Sequence, residues 1–245
     1  MGWNRDNVTA DDVGARRTVD MRRRPHRLAA LTFITAFLVS ATVAGLAAHA
    51  GTTTMPGSPG PQLSDQQRAV SAIAIQNGDR RFLMLDKSRG ELLLFVDGQP
   101  VFQGAALVGE SRADEIPPYL FNKSFSVPAK LAEKVTPAGL YTVRREADPH
   151  YGTIFTINEI RGTDWDITIH RVAIVPGEHR PERIRSPNAA DRHITNGCVN
   201  VERETIGFLE RNVTGPRTSL YILPEDPGRI SVLFGQHPAA ATSSR

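Results

Sequence analysis

The spacing of apolar residues changes several times along the chain, and each change marks a boundary. In SDQQRAVSAIAIQ (64–76) the apolar positions fall on one helical face. Ser64 followed three residues later by Gln67 has the form of a capping box, in which each side chain satisfies the other residue's backbone N–H. Beyond Gly78 the period shortens. RFLMLDK (81–87), ELLLFVDG (91–98) and PVFQGAALVG (100–109) are short runs of large apolar residues and predict successive strands, with Asp97-Gly98 as a tight turn between two of them. TPAGLYTVRR (136–145), GTIFTINE (152–159) and DWDITIHRV (164–172) predict three more. Residues 112–134 lack a period, and only a short helix is expected within SVPAKLAEK.

Residues 173–193 carry three prolines and much charge, which predicts a long loop or a small excursion; Arg180, Arg183 and Arg185 belong to it, as solvated charges in preference to an anion-recognising run. After Asn200, Val201, Ile206, Leu209 and Val213 share a helical face. TSLYILPE (218–225) and RISVLFG (229–235) read as closing strands. The chain has 245 residues, 40% of them apolar, with 20 glycines and 17 prolines, enough for one core with many turns. The expectation is a mainly β domain with a helix directly after position 198.

Charge separates the N-terminus from the rest. Residues 1–27 hold seven arginines and four aspartates, whereas residues 28–50 hold no charged side chain apart from His49. From Gly51 onward the chain carries 22 basic and 22 acidic side chains, so the net +3 comes from the tail. A domain without net positive charge gives no footprint for nucleic acid. The 21 uncharged residues Leu28–Ala48 would span ~30 Å as a helix. Two readings stand: a signal peptide cut after Ala48-His49-Ala50, or an uncleaved membrane anchor with the basic, cytoplasmic tail inside. Either sends the remainder out of the cytoplasm, secreted or anchored in the cell envelope. Residues 51–63 form a Pro/Gly/Thr/Ser linker, 64–236 the folded domain and 237–245 a flexible tail.

Cys198 is the only cysteine, which removes an intrachain disulfide as its purpose. A single thiol is also a poor metal set, and no tight ligand spacing accompanies it. A nucleophile, an intermolecular disulfide or an inert buried thiol remain, and lipidation is disfavoured so far from the N-terminal segment. Gly197 allows a tight turn, Asn200 is placed to cap the coming helix, and a thiol near a helix N-terminus is favoured as thiolate. Backbone amides of Asn196, Gly197 and Cys198 are candidates to hold an oxyanion. His170, at the end of the apolar strand ITIH, and His193, five residues before the thiol, are both candidate bases. Thr195 either positions these groups or simply builds the turn. No GxGxxG or Walker pattern is present, so no cofactor is expected, and no metal.

The order TPAG (136–139), a strand ending in IH (169–170), then TNGCVNV (195–201) resembles the catalytic domain of the L,D-transpeptidases, the YkuD-type peptidoglycan-modifying cysteine acyltransferases. The resemblance covers about residues 80–215. It implies a β-sandwich with a helix after the catalytic cysteine, Cys198 as nucleophile and His170 as base. It further implies peptidoglycan stem peptides as substrates, a wall-attached protein as a possible acceptor, and no cofactor. The sequence departs from the family pattern at Asn196, where histidine is usual, and at Arg171, where glycine is common and which becomes a candidate substrate contact. It departs again in the 28-residue spacing from His170 to Cys198, which implies an insertion within 173–192. These departures keep two alternatives open: an L,D-carboxypeptidase or other thiol amidase of the wall, and a non-catalytic peptidoglycan-binding module.

Overall fold

The computed structural model describes residues 61–235, apart from residues 122, 124, 125, 127, 159 and 161–165. The expectations for the tail, the apolar segment 28–50 and the linker as far as residue 60 fall outside the described residues, as does the C-terminal tail. Among the described residues no helix is long and apolar enough to cross a membrane.

Helix α1 (Asp65–Gln76) begins where the capping box predicts. Ser64 Oγ accepts from the Gln67 amide at 3.2 Å, and Gln67 Oε1 accepts from the Ser64 amide at 2.9 Å. Strands β1 (Arg81–Asp86), β2 (Glu91–Val96) and β3 (Gln99–Gly109) follow as an antiparallel series. Asp97 and Gly98 turn between β2 and β3 with φ of 50° and 76°, the positive values a two-residue hairpin turn needs. The irregular region contains short 3₁₀ turns at Pro118–Leu120 and Leu131–Glu133. Strands β4 (Gly139–Asp148), β5 (Gly152–Asn158) and β6 (Ile167–Arg171) continue antiparallel. The chain then makes the short helix α2 (Arg180–Arg183) and a 3₁₀ turn at Ala189–Arg192. Strands β7 (His193–Thr195) and β8 (Val199–Val201), helix α3 (Arg203–Asn212), strand β9 (Thr218–Leu223) and helix α4 (Ile230–Phe234) complete it.

The mainly β expectation holds. The strands form one nine-stranded sheet in the order β2-β1-β9-β4-β5-β6-β8-β3-β7, and β2 also pairs with β3. That pairing closes the sheet on itself into a barrel-like core, so the two faces of the expected sandwich are parts of a single ladder. Closure leaves β7 as an appended strand, paired with β3 alone.

Strand β1 reads as a continuous apolar run because both of its faces are buried. Leu83 and Leu85 face the inner cluster with Leu92, Leu94, Val143, Phe155, Ile169, Val199 and Leu220. Phe82 and Met84 face a second cluster with Leu93, Phe95 and Tyr221, which α1 and α4 cover with Val70, Ala74 and Phe234. Helix α3 packs Ile206, Leu209 and Val213 onto the inner cluster.

Two local expectations are corrected. RISVLFG is not a strand. Ile230, Leu233 and Phe234 have the i, i+3, i+4 spacing of a helix face, and Asp226 Oδ1 accepts from the Gly228 amide at 2.9 Å to start the turn that leads in. Asn200 does not cap the helix after the cysteine. It lies within β8, and the N-cap position of α3 is Glu202.

Candidate active site

Strands β6 and β8 run parallel and in register, Ile169 opposite Val199 and His170 opposite Asn200. Side chains alternate across a strand, so Thr168 and His170 share one face. Cys198 and Asn200 share the same face of the neighbouring strand. Thr168 Oγ1 donates to Cys198 Sγ at 3.8 Å, and the thiol is half-buried. Cys198, the residue just before β8, is therefore beside Thr168, on the face that also carries His170.

His170 is 4% exposed. Its Nδ1 lies 2.8 Å from the Arg171 carbonyl oxygen, which can only accept, so Nδ1 carries a proton. Its Nε2 lies 3.1 Å from Asn200 Nδ2. The orientation of that amide is fixed from the other side: Asn200 Oδ1 accepts from Arg180 Nη1 at 3.1 Å and from the Ala173 amide at 3.4 Å. Asn200 Nδ2 is then the donor and His170 Nε2 the acceptor, which defines a neutral imidazole protonated at Nδ1. The ring of Tyr151 packs against His170 with centroids 4.1 Å apart.

The turn before the thiol is built for glycine. Gly197 has φ of 126°, and a Cβ there would come within 2.6 Å of the Val135 carbonyl oxygen. Thr195 Oγ1 donates to the Cys198 carbonyl at 2.6 Å and accepts from the Gly197 amide at 3.2 Å. Buried Thr136, from the TPAG stretch, accepts from the Gly109 amide and donates to the Gly197 carbonyl, both at 2.8 Å. The Gly197 amide is thus engaged with Thr195, while Asn196 is half-buried in the same turn. The helix dipole contributes little at the sulfur, because β8 lies between Cys198 and the first helical residue, Arg203.

His193 has different surroundings. It is 7% exposed, its Nδ1 lies 3.2 Å from the Gly109 carbonyl, and its buried Nε2 has no hydrogen-bond partner. Burial holds its pKa below the ordinary histidine value, and the Arg112 charge adds to this against the opposing pull of Glu225 and the Gly109 and Lys87 backbone. Nearby, Lys87 Nζ pairs with Asp114 Oδ1 at 2.8 Å, with side chains 2% and 7% exposed. Arg171 directs its guanidinium to the carbonyls of Tyr151 and His150, at 3.2 and 2.7 Å.

Sequence reasoning missed three residues at this site. Thr168 was legible in principle, two positions before His170 and so on its face. Tyr151, in a turn, carries no such signal. Arg180, expected in a solvated loop, is 4% exposed, with Nε on Glu178 Oε2 at 2.6 Å and Nη1 on Asn200. Of its two companions, Arg183 donates to the Asp191 carbonyl at 2.7 Å, and only Arg185 has a largely exposed side chain. No group of three or more metal-ligating side chains occurs among the described residues.

No family model matches the chain, and no curated protein does. Solved structures match in part. One is Bd1075 of Bdellovibrio bacteriovorus, at 20% identity over 59% of this chain and 48% of that one, with a TM-score of 0.38. Another is Pgp2 of Campylobacter jejuni, a helical cell shape determining protein, at 17% identity over 66% and 57%, TM-score 0.40. A third is the L,D-transpeptidase (residues 123–326) of Xylanimonas cellulosilytica, at 16% identity over 67% and 64%, TM-score 0.36. The chain thus spans about half of the first and under two thirds of the others. Each is a distant, partial likeness, and function rests on the chemistry of the site.

Proposed function

We propose that the chain is a cysteine acyltransferase of the L,D-transpeptidase type, acting on peptidoglycan stem peptides outside the cytoplasm. The observation that carries this reading is the parallel register of β6 with β8, which sets a half-buried lone thiol on the same face as a neutral, Nδ1-protonated histidine. His170 Nε2 takes the proton of Cys198, and the thiolate attacks the carbonyl of the third residue of a tetrapeptide stem. The bond to the terminal D-alanine breaks, its amine takes the proton back from His170, and a thioester remains. An amine of a second stem or of a wall-attached protein then attacks the thioester and releases the thiol. The thioester conserves the acyl energy, so no nucleotide enters. Thr195 and Thr136 hold the Gly197 turn that presents the sulfur. Arg171 contributes indirectly to substrate binding by fixing the 150–151 turn that lays Tyr151 over His170. Residues 28–50 serve as export signal or anchor.

One observation favours a non-catalytic wall-binding module instead: His170 Nε2 already accepts a hydrogen bond from Asn200. Intact-mass analysis after exposure to a carbapenem separates the two. A single adduct on the wild-type protein, absent from Cys198→Ala, is expected, and an unmodified wild type overturns the acyltransferase. With a defined tetrapeptide stem, loss of D-alanine together with a new cross-link is expected. Hydrolysis alone would reassign the enzyme as a carboxypeptidase.

A further inference from the structure

Arg180 belongs to the segment between His170 and Cys198 that is long for the family pattern, yet it is among the most buried charged residues of the chain. Arginine is seldom this buried unless every part of its fork is used. Here Nε is held by Glu178 Oε2 and Nη1 by Asn200 Oδ1. The preceding residue, His179, has φ of 51°, a left-handed conformation that side chains other than glycine adopt infrequently. That turn starts α2 with Arg180 facing inward. The segment thus delivers one charged side chain to the back of Asn200, whose other end faces His170.

We propose that Arg180 is a positioning residue that acts through Asn200 to keep His170 neutral: the Arg171 carbonyl fixes the Nδ1 proton, and the oriented Asn200 amide keeps a second proton off Nε2. The reason is geometric. An amide has one acceptor end and one donor end. With Oδ1 occupied by Arg180 and the Ala173 amide, only Nδ2–H can face His170, and Nε2 must present its lone pair to it. A doubly protonated ring would set N–H against N–H. Turning the amide over would set Nδ2–H against the guanidinium. The resting site therefore keeps His170 uncharged, and the Nε2 lone pair is shared between Asn200 and any proton brought to it. This deepens the acyltransferase reading, in which that lone pair receives the proton of Cys198, and its structural half stands apart from that reading.

The test uses the full chain labelled with ¹⁵N-histidine, with two-bond ¹H–¹⁵N ring correlations and the His170 signals assigned by their loss in His170→Gln. Wild type is expected to show one Nδ1–H form at neutral pH. Arg180→Lys keeps the charge beside Glu178 but cannot reach Glu178 and Asn200 at once; the Asn200 amide is then free to turn Oδ1 toward Nε2, and the variant is expected to raise the doubly protonated fraction of the ring at neutral pH. Arg180→Gln is expected to do the same if it folds. Asn200→Asp, which places an acceptor opposite Nε2, is expected to add a second proton to the ring. A folded Arg180→Lys protein with unchanged His170 ring signals overturns the proposal. The rate of Cys198 alkylation by iodoacetamide, followed by intact mass, is read in parallel. A more protonated ring with several-fold faster alkylation, as an imidazolium beside the thiolate would give, supports both steps. A more protonated ring with an unchanged rate keeps the role of Arg180 and removes His170 as the partner of Cys198.

Discussion

His170 and His193 are buried to nearly the same degree, and the structure treats them in opposite ways. The first ring has both nitrogens engaged, by the Arg171 carbonyl and the Asn200 amide, and it shares a strand face with Thr168, which meets the thiol. The second spends one nitrogen on the Gly109 carbonyl and leaves the other without a partner, beside the charges of Arg112 and Glu225. Depth of burial is thus a poor guide to a histidine's role. The supply of partners, and the strand on which the ring sits, separates a ring with both nitrogens engaged from one that is merely enclosed. The same contrast extends to the charges behind them. Arg180 is buried in order to orient another side chain, whereas Lys87 and Asp114 are buried against each other.

The largest expected effect tests the two rings directly. His170→Gln should slow formation of the carbapenem adduct by ~10²–10⁴, the usual contribution of a positioned base. His193→Gln should leave the rate within about threefold. Stopped-flow loss of β-lactam absorbance measures both, and equal losses would erase the distinction.

Next in size is the buried pair. Lys87→Met takes the buried cation from Asp114 but leaves it the Glu225 amide at 2.9 Å and Arg229 at 3.4 Å, so the expected cost is about 3 kcal/mol, the low end for a broken buried pair. Urea unfolding should show that loss, whereas the surface pair Arg80–Asp97 should cost under ~1 kcal/mol when Arg80 is changed to Ala. Burial alone would raise the Asp114 carboxyl. The Lys87 hydrogen bond, the Glu225 amide and the charges of Lys87 and Arg229 outweigh it and hold the carboxyl below the usual range. Its stabilising contribution is therefore complete above that range and is lost as pH falls through the lowered value.

The smallest effect belongs to His193. Its folded-state pKa lies below the unfolded value of ~6.5, so the unfolded chain binds the proton first on acidification. Its contribution is fully present above that value and is lost as pH falls from there toward the lowered one. A plot of Tm against pH should show this limb in wild type and flatten over the same window in His193→Gln.

Much of this architecture can be read from residue spacing. The α1 cap, the β1–β2–β3 series and the Asp97-Gly98 turn involve neighbours in sequence, and local chemistry specifies them. Strands β7 and β8 were invisible because each has three residues and takes its stability from β3 and β6, far away in sequence. RISVLFG reads as a strand because ISVLF is rich in β-branched and aromatic residues, and only the surface that α4 covers decides its helical period. At the candidate site, Cys198, His170 and the Gly197 turn stand out by residue type and order, and the β6–β8 register brings their segments together. The partners were not. Asn200 read as a cap and Arg180 as a solvated charge, because their meeting depends on how the 173–192 segment folds back onto β8.

The hydroxyl of Thr136 joins Gly109 to Gly197, residues that only the finished ladder brings together. Before β6 meets β8 the sulfur has no Thr168 beside it, and before β3 and the TPAG stretch join them it has no clasped turn beneath it. A nascent or unravelled chain therefore carries an ordinary alkyl thiol, whose surroundings exist only once these distant segments have met.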